Sequence, residues 1–179
     1  MRKLIECVPN FSEGRDMDKI NQITSVIETV DGVKLLDVDP GAATNRTVVT
    51  FVGEPENVVE AAFRAVKKAS EVIDMRNHHG EHPRFGATDV CPLVPVSGVT
   101  MEERVEYAHK LGQRIGEELG IPVFCYESAA KCEERKNLAV CRAGEYEALP
   151  KRLTEGGCVP DYGPAEFNER VALSGATAV

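Results

Sequence analysis

The stretch Val33-Lys34-Leu35-Leu36-Asp37-Val38-Asp39-Pro40-Gly41-Ala42-Ala43-Thr44-Asn45-Arg46-Thr47-Val48-Val49-Thr50-Phe51-Val52 decides the fold. Val33 to Val38 reads as a buried strand, and Pro40-Gly41-Ala42-Ala43 as a turn or loop. Thr47 to Val52 is rich in β-branched residues and reads as a second strand. These two strands in succession lie between two helical faces. Upstream, Met17, Ile20, Ile23, Ile27 and Val30 recur every three or four residues, with Asp16 placed as N-cap and Asp31-Gly32 as the stop. Downstream, Pro55 sits at a first helical position, followed by Val58, Val59, Ala62, Phe63, Val66, Ala69 and Ile73. Leu4 to Pro9 adds a strand before the first helix, closed by Pro9-Asn10. Val90 to Val96 adds one after the second, and Pro92 and Pro95 make it an edge or irregular strand. The order is β-α-β-β-α-β. It predicts an α+β, ferredoxin-like split βαβ unit with both helices on one face of an antiparallel sheet.

Additional elements follow. Thr100 and Glu103 form a capping box for a third helix carrying Val105, Ala108, Leu111, Ile115 and Leu119, which Gly120 and Pro122 end. Pro122 to Tyr126 reads as a further strand. Ser128 to Asn137 and Glu145 to Leu153 read as helical, and the chain from Gly156 to its end as a Gly/Pro-rich loop.

The chain has 179 residues, 42% of them hydrophobic and 28% charged, an ordinary balance for one soluble domain or one lobe of a larger enzyme. A net charge of −8 argues against a nucleic-acid partner, which needs a basic face. No apolar run approaches the ~18 residues of a membrane span. The opening Met1-Arg2-Lys3-Leu4-Ile5-Glu6 meets an acid too early for a signal peptide, so the expected location is cytoplasmic. Six cysteines without a Cys-x-x-Cys pair are then expected as reduced thiols, mostly small buried apolar residues.

Apolar patterning leaves three polar loops unexplained: Val8 to Arg15, Asp37 to Thr47, and His78 to Asp89. Their convergence is a tertiary question that spacing does not answer. Three of the four histidines fall in the third loop. A metal pair at His78 and His82, a solvated polar loop, and general acid–base use of one histidine are all open. Gly80 and Pro83 weigh against a helix that would align the pair, and an ordinary histidine pKa near ~6.5 suits proton transfer. His82 is the best placed of them, because Pro83 restricts its backbone to extended conformations. Asp39 is either a turn residue before Pro-Gly or an acid that orients and charges a histidine. Arg15, Arg46 and Arg84 lie one in each loop, with Arg142 as a fourth candidate. Together they would suit a carboxylate, which guanidinium binds bidentately. Cys91 and Ser12 lack any nucleophile-elbow context.

The same loops carry a resemblance. Glu6-Cys7-Val8-Pro9-Asn10-Phe11-Ser12-Glu13-Gly14-Arg15, Leu36-Asp37-Val38-Asp39, Thr44-Asn45-Arg46-Thr47-Val48, Gly80-Glu81-His82-Pro83-Arg84 and Arg142-Ala143-Gly144-Glu145-Tyr146-Glu147-Ala148-Leu149-Pro150 resemble glutamate formiminotransferases, including the transferase half of formiminotransferase-cyclodeaminase. The resemblance covers nearly the whole chain. It implies the N-terminal of two ferredoxin-like lobes flanking a cleft. The implied reaction moves the formimino group of N-formimino-L-glutamate to tetrahydrofolate, a co-substrate, with no metal, in histidine degradation and one-carbon metabolism. His82 falls on the family's catalytic histidine and Asp39 on the acid near it. Asn10, Ser12, Arg46 and Arg84 are the implied substrate contacts. The segment Asp161-Tyr162-Gly163-Pro164 to Gly175-Ala176-Thr177 resembles the folate-contacting region, which nominates Gly163, Pro164, Ser174 and Gly175; the stretch Ala165 to Ser174 looks longer than the family's. The family continues beyond the counterpart of Val179 into a second lobe, so the expected partner is that lobe, in cis or in trans, and a homodimer is compatible. The competing expectations are a lobe that only binds folate or glutamate, half of a heteromer, or a related formyl transfer.

Overall fold

A computed structural model describes residues 2–131, 136–154 and 159–179. Its centre is a mixed α+β arrangement of eight strands in one curled sheet, packed with helices. The strands are β1 (Leu4–Cys7), β2 (Asn10–Phe11), β3 (Val33–Gly41), β4 (Arg46–Gly53), β5 (Thr88–Val90), β6 (Leu93–Ser97), β7 (Val123–Phe124) and β8 (Thr177–Ala178). The helices are α1 (Met17–Glu28), α2 (Pro55–Val72), α3 (Met101–Leu119), α4 (Leu138–Cys141), α5 (Leu149–Thr154) and α6 (Glu169–Ser174).

The strand β4 organises the sheet. It pairs antiparallel with β3 along one side and with β1 and then β2 along the other. β1 and β2 are two halves of one line of chain, interrupted at Val8-Pro9. β5 and β6 are likewise halves of another line, interrupted at Cys91-Pro92, where β2 pairs with β5 and β1 with β6. Beyond β5 the sheet turns parallel: β8 joins β5 at Val90–Ala178, and β7 joins β8.

Alternation along the strands separates two faces. Ile5, Cys7, Phe11, Val49 and Phe51 are buried against Ile23 and Ile27 of α1, Val58, Ala62 and Val66 of α2, and Leu111 and Ile115 of α3. Local signals in the sequence set these helices. Asp16 accepts hydrogen bonds from the amides of Asp18 and Lys19, Pro55 opens α2, and Thr100 and Glu103 close a reciprocal capping box. Gly120, at φ 67°, ends α3 in the left-handed conformation.

The opposite face is covered only in part. Around β5, β8 and β7, Val90, Phe124, Ala176 and Ala178 pack under Cys141 of α4, Leu149 and Leu153 of α5 and Val171 of α6. Over the rest of the sheet that face is more open among the described residues. Asp37 and Asp39 are exposed, and so are Val94 and Val96.

Several sequence expectations need correction. β3 is a half-exposed edge strand rather than a buried one, paired only with β4. It also runs on through Pro40 and Gly41, opposite Thr47 and Arg46, because a proline without an N–H is tolerated on a sheet edge. Asn10, expected in a loop, pairs in β2 with Val48 and Val90. Of the helix expected across Ser128 to Asn137, the described residues show a 3₁₀ turn at Glu127–Ala129 and Asn137 capping α4. Cys132 to Arg135 lie outside the described residues, as do Cys132 and Cys158 among the six thiols. The C-terminal stretch read as loop contains α6 and β8. Each is too short for its own periodicity to register, and both exist because Val171, Ala176 and Ala178 find a core. The irregular strand at Val90 to Val96, the strand at Pro122 to Tyr126 and the helix ending near Leu153 are present with shifted bounds. Cys7, Cys91, Cys125 and Cys141 are buried. No described helix is long and apolar enough to cross a membrane.

Candidate active site

The three polar loops converge where the more open part of the sheet meets the C-terminal cap. Asn45 is their junction. Its backbone takes φ 50°, a left-handed conformation that asparagine tolerates better than most residues. Its side-chain oxygen accepts from the Gly14 amide at 2.9 Å and its side-chain nitrogen donates to the His79 carbonyl at 2.9 Å. Its own carbonyl faces His78 Nε2 at 2.8 Å. One residue thus ties the first, second and third loops together. Arg15 Nε donates to the Ala42 carbonyl, and the Ser12 hydroxyl to the Gly86 carbonyl. Glycines allow the approach: a Cβ on Gly14 would come within 2.1 Å of the Gly41 oxygen, and one on Gly80 within 2.3 Å of the Thr44 oxygen.

Ser12, Thr44, Asn45, Arg46, His78, His82, Arg84 and Asp89 line a narrow hollow, closed down by its own side chains. His82 is half-buried at its rim. Its Nε2 lies 2.7 Å from Arg46 Nη1, and its Nδ1 lies 2.7 Å from the Pro83 carbonyl. Burial, and then the nearby Arg46 and Arg142 guanidiniums, hold its pKa below the ordinary histidine value, so the ring is neutral at pH 7.

His78 is different in kind. It is buried, and both ring nitrogens have protein partners: Nε2–H donates to the Asn45 carbonyl and Nδ1 accepts from Arg84 Nε at 3.0 Å. Burial lowers its pKa, and a proton on Nδ1 would confront the Arg84 N–H.

The arginines separate by their partners. The Arg84 guanidinium is buried. It makes a paired contact to Glu147 at 2.7 and 2.9 Å and reaches Glu145 at 3.4 Å. Glu147 raises its pKa, and its donors are committed within the fold. Arg142 pairs with Asp89 at 2.7 Å. Arg46 makes no ion pair with any acid among the described residues; its side-chain partner is His82.

Asp89 is nearly inaccessible. Burial outweighs the pull of Arg142 and pushes its pKa up to about 6. Its other oxygen accepts the Phe85 amide at 2.8 Å.

Glu145 stands at φ 58° and ψ −156°, a region costly for a side-chain-bearing residue, at about 1–3 kcal/mol. It is held there by the Arg84 amide donating to its carboxylate at 3.1 Å and by its own amide donating to the Arg142 carbonyl at 2.7 Å.

The remaining nominated residues are placed as follows. Asp39 is exposed on β3 opposite Val48 and shares no hydrogen bond or ion pair with His82 in this structure. The Asn10 side chain donates to the Val8 carbonyl at 3.2 Å. Gly163 and Pro164 lie by α3 and the approach to β7, where a Gly163 Cβ would meet the Ile121 carbonyl at 2.3 Å. Ser174 and Gly175 run against Phe85 and Gly86. None of these last four lines the hollow around His82.

Residues 4–179 match the family described as formiminotransferase domain, N-terminal subdomain. The chain belongs to the formiminotransferase family. Within it, the chain is 54% identical to pig formimidoyltransferase-cyclodeaminase over 167 residues, 93% of this chain and 31% of that protein. It is 58% identical to the chicken protein of the same name, with the same coverage. It is 48% identical to the glutamate formimidoyltransferase of Streptococcus pyogenes serotype M1 over its full 179 residues, 59% of that protein. This formiminotransferase-family chain therefore spans about a third of the cyclodeaminase relatives and somewhat over half of the bacterial transferase.

The sequence named Arg84 and Arg46 as equals; both line the hollow, Arg84 buried and ion-paired to Glu147 and Glu145, Arg46 set against His82. The roles of Asn45, Asp89, Glu145 and Glu147 were not read from the sequence. The one local signal was Asn45 itself, between Thr44 and Arg46 in a turn that calls for positive φ.

Proposed function

We propose that the protein of which this chain is part transfers the formimino group of N-formimino-L-glutamate to N5 of tetrahydrofolate, giving 5-formiminotetrahydrofolate and glutamate. One observation carries the reading: His82, neutral and half-buried, points Nε2 at Arg46, which lines the hollow and has no carboxylate partner among the described residues. The family membership adds to it.

In this reading N5 of the folate attacks the formimino carbon. His82 Nε2 takes the proton that N5 loses and gives it to the glutamate nitrogen as the C–N bond to glutamate breaks. The proton count balances, no covalent enzyme intermediate is needed, and such a residue contributes ~10²–10⁴-fold. Arg46 binds a carboxylate of the donor, which draws its guanidinium away from His82 and uncovers the lone pair. Asp39 supplies negative charge for the imidazolium, supported by its place on the neighbouring strand, two positions from Gly41, which pairs with Arg46. Asn10 and Ser12 border the same region. Arg84 serves the substrate indirectly, through the loop it holds. Gly163, Pro164, Ser174 and Gly175 remain the proposed folate contacts.

As it stands the hollow leaves no room for even a water-sized sphere, whereas sites that enclose a drug-sized ligand offer ~300–1,000 Å³. A whole folate therefore needs more wall, which favours residues 1–179 as the N-terminal lobe of a two-lobed site. We also read β3, β4, the β1/β2 line and the β5/β6 line as a ferredoxin-like split βαβ unit, on the strength of their antiparallel order. The cytoplasmic reading belongs to the same proposal.

The test is His82→Ala in the two-lobed enzyme. Turnover should fall by about two to four orders of magnitude while folate still binds. Normal turnover would refute the role. The same coverage of relatives supports a second reading, in which this chain alone binds without catalysis. Titration of the 179-residue chain with folinate, beside an assay on formiminoglutamate, separates the two: binding without turnover favours half a site, and turnover favours a whole one.

A further inference from the structure

The Pro83 carbonyl oxygen lies between two nitrogens. His82 Nδ1 is 2.7 Å from it and Arg142 Nη1 is 2.9 Å from it. The same Arg142 nitrogen lies 2.7 Å from Asp89 Oδ2, and Asp89 Oδ1 accepts the Phe85 amide at 2.8 Å. Phe85 is fully buried in the C-terminal core. Chain and side chains thus form a closed brace: Phe85 holds Asp89, Asp89 holds Arg142, and Arg142 holds the peptide oxygen against which the His82 ring rests.

A peptide oxygen can only accept a hydrogen bond, so the His82 nitrogen facing it must carry the proton. The other end of the ring makes the same demand. Arg46 is a donor and never an acceptor, so the Nε2 it faces at 2.7 Å must carry the lone pair. Both ends select the Nδ1–H tautomer. In free histidine the Nε2–H tautomer is the commoner one, so this choice is made by the protein.

We propose that Asp89 and Arg142 are positioning residues that fix His82 in its Nδ1–H tautomer and so reserve Nε2 as the proton-accepting atom. The catalytic half of this statement rests on the proposed role of His82; the tautomer itself does not. Neither residue needs to touch substrate. Arg142, with its guanidinium shared between a carboxylate and a carbonyl, is spent on the loop and not on a ligand. Asp89 gains a reason for its burial, since a carboxylate with 3% side-chain exposure is costly unless it orders something.

The test is long-range ¹H–¹⁵N correlation of the imidazole rings in the ¹⁵N-labelled 179-residue chain near pH 7.5, with the His82 signals assigned by their loss in His82→Gln. The expected result in the unaltered chain is a pyrrole-type Nδ1 and a pyridine-type Nε2. This measurement needs no altered brace and cannot fail through misfolding. In Arg142→Met and Asp89→Asn the two nitrogens should move towards each other as the tautomers mix, whereas Arg142→Lys, which still offers a cationic donor, should stay nearer the parent. A pyrrole-type Nε2 in the unaltered chain would overturn the proposal, and so would an unchanged spectrum in a folded Arg142→Met. Turnover that survives His82→Ala in the two-lobed enzyme would instead remove the base and leave the tautomer result standing, so the two failures are distinguishable.

Discussion

At the scale of the residue, the site is a set of charges ranked by what surrounds them. Asp89 shows how burial can outweigh a neighbouring guanidinium, with a folded pKa near 6 against an ordinary 3.8. Between those values the folded state holds a proton that the unfolded state has lost. The Asp89 contribution to stability is therefore present at low pH and lost as pH rises through about 6. The shift corresponds to roughly 3 kcal/mol at most. Relative to Asp89→Asn, the parent should gain up to about this much stability on going from pH 7 to pH 4, measured by urea unfolding at both. A difference that does not change with pH would contradict the assignment. His78 and His82, both lowered, act with the opposite sign: their contribution is present above about 6.5 and lost as pH falls. Comparing parent and variant at each pH cancels them. Arg84 is the other residue with a large expected effect. Arg84→Ala leaves the His78 ring without its donor, Glu147 without its guanidinium and Glu145 with only the residue-84 amide. Because both glutamates are partly exposed, with side-chain accessibilities of 43% and 62%, the cost should be about 2 kcal/mol and not the full ~3–5 of a buried pair. A urea midpoint within error of the parent would mean that the glutamates had been carrying nothing.

At the scale of the element, the C-terminal additions depend on one close crossing of chains. Gly86 bridges to Gly175, and the Ala176 amide donates to the Phe85 carbonyl at 2.9 Å. A Cβ on Gly86 would stand 1.8 Å from the Ala176 oxygen, and backbone cannot step aside as a side chain can. Gly86→Ala should destabilise by about 3 kcal/mol, the upper end of overpacking costs. It should do so by undocking β8 from β5. The diagnostic is hydrogen exchange of the Cys91 and Val179 amides, which donate to the Ala178 and Phe124 carbonyls at 2.8 and 2.9 Å. Loss of stability with those amides still protected would place the strain elsewhere. The helices are less delicate. α1, α2 and α3 each carry an apolar stripe and a local start signal, and they lie on the same face of the sheet because Val49 and Phe51 of β4 point to that side.

At the scale of the whole molecule, one face of the sheet is fully covered and the other is half covered, and the candidate site sits on the step between them. The cap that makes the step is built from residues 138–154 and 167–178, and it also supplies Arg142, Glu145 and Glu147 to the third loop. Cap and loop should therefore be lost together. A chain ending at Asn137 would lack β8, which lies between β5 and β7, and would expose Phe85 and Phe124, both fully buried in the complete chain. It should bind a hydrophobic dye and unfold with lower cooperativity than the 179-residue chain, while the α1–α2 layer keeps its helical signal. Unchanged cooperativity would mean that the cap is an appendage and the step an accident of packing.

What the sequence determined by itself is local. Helical periodicity with start signals at Asp16, Pro55 and Thr100, the strands around Phe51 and Ile5, and the three polar loops were all legible, because each depends on residues a few positions apart. The motif resemblance identified the family for the same reason: its signatures are contiguous. What the tertiary structure decided is partnership. Nothing near Arg84 in the chain announces Glu145 and Glu147, more than sixty positions away, yet they hold its guanidinium where it lines the hollow. Nothing near Arg46 announces that it faces His82, and nothing near Asp89 announces a carboxylate kept from water. The short elements α6 and β8 escaped because they are too brief to carry a period and exist only through the core they complete. Charge and hydrogen bonding act across space at 3 Å, whereas propensity acts along the chain, and the chemistry of this site belongs to the first.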